Sequence, residues 1–127
     1  MDLGRCLIIN VLRRFNFISI DKLANLVFIV DRVGNYNAFS WSRVDLVITS
    51  DEFLDTFEGL VRDGVIRVNN GLVSMSGVGN VEDLLNRECG WLRGSVDSTV
   101  SFVIREYGPL NDDELSDIVE SMFEGVL

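Results

Sequence analysis

Between Thr49 and Met75 the chain changes its hydrophobic period in a way that dictates local structure. Thr49-Ser50-Asp51-Glu52 has the form of a capping box, in which the Thr49 hydroxyl would accept the Glu52 backbone N–H and the Glu52 side chain would reach back. Phe53, Leu54, Phe57, Leu60 and Val61 then recur at helical spacing until Gly64. Immediately afterwards Val65-Ile66-Arg67-Val68 and Leu72-Val73-Ser74-Met75 read as strands. The residues between them, Asn69-Asn70-Gly71, accept positive φ. A helix running directly into a short β-hairpin is predicted.

Upstream, Leu3, Leu7, Ile8, Val11, Leu12 and Phe15 define a first helix over 2–15, with Arg5, Arg13 and Arg14 on its other faces. Ser19 is a good N-cap for a second helix over 20–33, striped by Leu23, Leu26, Val27 and Val30 and stopped by Gly34. From 34 to 48 the helical period is lost, and the alternation around Trp41 and again from Val44 to Val47 predicts one or two short strands. Helix, helix, connecting segment, helix and hairpin is the plan of a winged helix, with the hairpin as the wing. Beyond it, helices are expected over 81–88 and 95–107. A last one follows Pro109, where Asn111 and Glu114 form a second capping-box pair. The fold class is therefore mostly α with a small β-hairpin, a winged helix-turn-helix followed by additional C-terminal helices. It forms a single domain over 1–127, with a winged-helix core over 1–76 and a helical extension over 77–127 packed on it.

Composition agrees with an ordered chain: 47% of its residues are apolar and 24% charged, too apolar for a disordered segment. The longest apolar runs, such as Leu26 to Val30, fall far short of a membrane span or a signal peptide, so a cytoplasmic protein without membrane contact is expected. Cys6 and Cys89 lie far apart and outside any C-x-x-C pattern. They read as small buried apolar residues, not as a disulfide or a zinc knuckle. All but one of the bases are Arg, and Gln is absent, which hints at a thermophile; ten Asn residues argue the other way.

Catalysis finds little purchase. No histidine is present to serve as a base for Ser or Cys. Asp51, Glu52, Asp55, Glu58 and Asp63 fall on a solvated helical face, while Asp112, Asp113 and Glu114 complement a helix dipole in a first turn. Gly77-Val78-Gly79-Asn80 lacks the residues of a phosphate loop and reads as a hinge. Tyr36, Phe39 and Trp41 could stack on a ligand, but aromatics in a connecting segment more often plug a core. A non-enzymatic protein without cofactor or metal is expected; a carboxylate site near Asp45 and Asp51 is the enzymatic alternative.

The sign of the charge ranks the partners. With 20 acids against 11 bases the net charge is -9, which repels phosphate backbones. In a DNA-reading winged helix the third helix and the wing carry bases; here that helix holds five acids with Arg62, and the wing holds Arg67 alone. The preferred reading is a protein-interaction module that docks a basic partner through Asp51, Glu52, Asp55, Glu58 and Arg62. The alternative is a DNA-binding transcriptional regulator using Arg5, Arg13, Arg14 and Arg67, with Arg32 and Arg43 available to extend the patch. A homodimer through the amphipathic terminal helix is equally compatible with the pattern.

Lys22-Leu23-Ala24-Asn25-Leu26-Val27-Phe28, Leu60-Val61-Arg62-Asp63-Gly64-Val65-Ile66 and the late Tyr107-Gly108-Pro109-Leu110 leading to Glu114-Leu115 form an ordered set of motifs. In these the chain resembles the Panacea family of SocA-like antitoxin domains, over roughly residues 3–122. The resemblance implies a protein-binding role, such as neutralising a toxin or acting as an adaptor for proteolysis, and brings no catalytic residues with it.

Overall fold

A computed structural model describes residues 1–77 and 79–125. Helix α1 (Leu3–Leu12) starts at Asp2, whose Oδ1 accepts the Arg5 N–H at 3.0 Å, and is buried on nearly every side. It is thus the central strut of the molecule. It stops earlier than the apolar stripe predicts: Arg13 caps it, and Arg14 and Phe15 leave in a turn toward β1 (Ile18–Ser19). Helix α2 (Ile20–Gly34) is capped by the Ser19 hydroxyl. Gly34 is inside this helix and the left-handed C-cap is Asn35, φ 53°. A Cβ on Gly34 would lie 2.1 Å from the Tyr36 ring, so the glycine makes room for an aromatic where the sequence suggested a stop.

The connecting segment contains a β-hairpin, β2 (Ser42–Val44) and β3 (Val47–Thr49), paired from Ser42↔Thr49 to Val44↔Val47. Its two-residue turn is Asp45-Leu46, with Asp45 at φ 56°. Helix α3 (Asp51–Arg62) follows directly. The capping box expected at Thr49 is not formed. Thr49 is committed to the β3 ladder, so the cap moves one residue on to buried Ser50, whose Oγ accepts the Phe53 N–H at 3.1 Å. The Glu52 carboxylate turns instead to the Ser40 backbone N–H, 2.6 Å away.

Past Gly64 (φ 79°), β4 (Ile66–Asn69) and β5 (Leu72–Met75) form a hairpin around Asn70-Gly71, both at positive φ as a type I′ turn requires. β1 adds to the free edge of β5 through Ile18↔Val73, giving a three-stranded antiparallel sheet in the order β1-β5-β4. Helix α4 (Val81–Cys89), a 3-10 turn (Gly90–Leu92), α5 (Arg93–Tyr107) and α6 (Asp112–Phe123) complete a mostly helical chain with a small antiparallel sheet. The last helix carries the full reciprocal Asn111–Glu114 box. Gly77 and Gly79 of the expected hinge have φ 79° and 81°; Val78 lies outside the described residues.

One hydrophobic cluster runs from Cys6 on α1 to Val119 on α6, with α1 packed on α2, α3, α4 and α5, and α2 covered by α5 and α6. The cysteines overturn the sequence expectation. Cys6 and Cys89 are joined in a disulfide, both fully buried. Their separation in sequence hid the pairing, because it depends on α4 folding back so that its end meets the start of α1, where the Asp2 N–H donates to the Glu88 carbonyl at 3.0 Å. Among the described residues no helix is long and apolar enough to cross a membrane.

Candidate interaction site

The connecting segment is positioned by one buried carboxylate. Asp31, on the last turns of α2, is 4% exposed and accepts the backbone N–H groups of Ala38 (2.9 Å) and Phe39 (3.3 Å) and the Trp41 indole N–H (2.8 Å). Burying a carboxylate is costly unless donors surround it, and here three donors converge on it. The segment is thereby folded so that Phe39 enters the core edge-on to Trp41 and Phe53, with Trp41 edge-on to Phe28. The aromatics thus plug the core, except that half-buried Trp41 keeps one side toward a groove.

That groove, about 350 Å³, lies between α2, the β2-β3 hairpin, the start of α3 and α6. Ala24, Trp41, Ile48, Phe53, Leu54 and Val119 make most of its lining apolar, with Asn25, Thr49, Ser50 and Ser116 between them. Carboxylates rim it: Asp21 from α2, with Asp112, Asp113 and Glu120 from α6. Arg43 on β2 is held by Glu120 (3.2 Å) and Glu124, and the Lys22 ammonium donates to the Gly108 and Leu110 carbonyls ahead of α6. The hairpin tip continues the apolar surface outward, with Leu46 82%, Val47 61% and Val44 56% exposed. These residues escaped the sequence reading, which saw strand alternation there. The signal was the Asp45-Leu46 pair at the midpoint of that alternation, where a tight turn must put a leucine in water. Trp91, in the 3-10 turn, is an exposed aromatic that the sequence reading passed over, as are Phe17 and Phe102.

The residues singled out on the third helix fall beside this groove. Asp51, Asp55, Glu58 and Arg62 are exposed along one face of α3, together with Leu54 and Val61, while Glu52 is engaged with Ser40. The arginines singled out as a basic patch are not gathered together. Arg5 pairs with Asp63 at 2.8 Å and lies 3.9 Å from Asp2 and from Glu88. Arg13 pairs with Glu82 at 2.7 Å, and Arg14 donates to the Ser101 hydroxyl and the Asp97 carbonyl. Arg32 lies over the Phe28 and Phe123 rings. Arg67 is exposed on β4 and, like Arg62, has no ion-pair partner among the described residues. Arg5 on α1 and Arg13 and Arg14 just past its end therefore tie the elements of the fold together.

The densest of these ties joins Arg13, Glu82, Arg93 and Asp97. The hydrogen bond from Arg93 holds the Glu82 carboxyl below its ordinary pKa, and the same bond raises the Arg93 guanidinium. Burial, then the neighbouring Arg13, lowers the Arg14 guanidinium. Among the described residues no group of His, Cys, Asp and Glu is arranged to hold a metal ion, and neither Asp45 nor Asp51 has a partnering carboxylate in such a group. Comparison with protein-family models, with curated proteins and with solved structures gives no match to this chain.

Proposed function

We propose that this chain is a non-catalytic protein-interaction module, built as a winged helix, that holds a basic partner against α3. Support for the scaffold is the order helix, strand, helix, helix, hairpin that remains once the β2-β3 hairpin between α2 and α3 is taken as an insertion, with β1 closing the sheet on β5 so that β4-β5 would stand as the wing. The resemblance to SocA-like antitoxin domains implies the same use, as an antitoxin-like protein or a proteolysis adaptor. The observation that carries the reading is the outward face of α3. Where a duplex reader presents bases, this helix presents Asp51, Asp55 and Glu58 around exposed Leu54 and Val61. Carboxylates around aliphatic side chains complement a cationic, partly apolar protein surface and repel phosphate. The buried disulfide fits an oxidising compartment, or a cytosol of the hyperthermophile kind, better than the mesophilic cytosol, which rarely retains one.

A regulator that reads DNA is the second reading, and it rests on Arg62 and Arg67, near the junction of α3 and the β4-β5 hairpin, which have no ion-pair partner among the described residues. The deciding experiment mixes the chain with purified products of neighbouring genes and with duplex DNA at low salt. We expect a stable complex with a basic protein that is lost in Asp51→Lys/Asp55→Lys/Glu58→Lys at unchanged helicity. Retention of that complex by the charge-reversed variant, or duplex retardation that needs Arg62 and Arg67, overturns the proposal.

A further inference from the structure

We infer that the groove between α2, the β2-β3 hairpin and α6 is the seat for an amphipathic cationic segment of a partner, whose aliphatic side chains fill the groove while its bases meet the acidic rim. The inference rests on the protein-binding reading and names a different surface and the partner's chemistry. Three observations converge on this occupant. The larger part of the lining is apolar, from Ala24 to Trp41 to Val119, with Asn25 and Ser116 among them, so it favours an aliphatic or aromatic side chain. The charged residues that line it, Asp21, Asp112, Asp113 and Glu120, are all carboxylates, while Arg43 is paired with Glu120 and Glu124 and Lys22 is engaged by backbone carbonyls. And the rim does not end in polar residues on the hairpin side: Leu46 and Val47 carry the apolar surface out beyond the groove, as contact with an extended or helical segment requires and enclosure of a compact ligand does not.

The same features rule against other occupants. A second copy of this chain would bring another net charge of -9 against Asp21, Asp112 and Asp113. A nucleic acid or an anionic lipid surface meets the same repulsion. A segment patterned with bases on one face and leucines on the other satisfies both the floor and the rim, and charge would speed its docking while the apolar contact holds it.

Trp41 makes the test direct, because it lines the groove, and the only other tryptophan, Trp91, is exposed and can be changed to Phe. The Trp91→Phe chain is titrated with a synthetic peptide of Leu and Lys patterned at helical period, and with a scrambled peptide of the same composition. The patterned peptide is expected to shift Trp41 emission to the blue and to bind about tenfold more tightly than the scrambled one. Leu46→Ser/Val47→Ser, which alters exposed residues only, and Ala24→Phe, which fills the floor, should each remove most of that advantage at unchanged helix content. Equal binding of both peptides, no change in Trp41 emission, or indifference to both variants overturns the inference. So does a doubling of the free chain's mass in sedimentation that Leu46→Ser abolishes, since the occupant is then another copy. If a basic partner still binds and still responds to reversal of the α3 charges while the groove variants change nothing, the groove alone is eliminated. Loss of both responses removes the protein-binding reading with it.

Discussion

Asp31 shows how one residue sets the shape of the groove. Its carboxylate accepts three N–H groups from a segment that otherwise has little regular structure before β2, and the indole it holds is the one lining the groove. Asp31→Ala should cost about 3 kcal/mol in urea unfolding, since hydrogen bonds to a buried charge are among the stronger ones and their donors would be stranded. Asp31→Asn, which keeps an acceptor, should cost less than half of that. Glu82 gives a pH prediction of defined sign. Its folded pKa lies below its ordinary value, mainly through the Arg93 hydrogen bond, so the stabilisation is complete above the ordinary glutamate range and is lost as pH falls through the folded value. The Tm difference between the parent and Glu82→Gln should therefore be constant at neutral pH and vanish in acid; a difference that survives there would mean the pair contributes through packing alone. None of this was legible from the sequence, where Asp31 is one more acid on a helix and Glu82 one more in a first turn. A carboxylate's partners come from other elements, and Asp31 finds its donors only after the chain has turned back at Asn35.

At the scale of elements the sequence was informative wherever local chemistry decides the outcome. The α3–β4–β5 succession follows from a helical stripe, Gly64 and Asn70-Gly71, and the last helix starts where Asn111 and Glu114 close their box. It misled where two local signals compete. Thr49 and Ser50 are both good caps, and the β3 ladder takes Thr49, leaving Ser50 to do the capping. It was silent on β1, because a two-residue strand has no period of its own and exists only by pairing with β5. The disulfide belongs to this scale too, since it fastens α4 to α1 across 83 residues of sequence. Closing so long a loop removes much of the unfolded chain's freedom. Cys6→Ala/Cys89→Ala is expected to lose about 3 kcal/mol, seen as a Tm about 10 °C lower, with reduction of the parent giving a similar shift. The helix content by circular dichroism should stay unchanged below the transition, because both positions lie inside an apolar core that tolerates the small side chains. If reduction leaves Tm where it was, the cross-link contributes nothing to holding α4 in place.

For the whole molecule, the question is what becomes of eleven bases in a chain whose net charge is -9. The sequence reading left open a basic patch built from Arg5, Arg13 and Arg14, because helical periodicity tells which face a residue occupies and not what the next helix brings to it. In the folded chain Asp63, Glu82 and the α5 surface come to those arginines, so their charge is spent inside the protein. Two expectations separate an internal tie from a docking patch. Arg13→Ala should lower stability by about 1 kcal/mol, the partly exposed ion pair being weakened by solvent, and it should leave partner binding unchanged. Complex formation with a basic protein should instead follow the carboxylates: its association rate should fall steeply as salt rises past 0.1 M, where the screening length is about 10 Å. In Asp51→Lys/Asp55→Lys/Glu58→Lys that dependence should flatten or change sign. Stopped-flow association rates over a salt series, for the parent, Arg13→Ala and the α3 variant, measure all three. A salt dependence that follows Arg13 and ignores α3 would mean that the working surface is on α1 and that its partner is an anion.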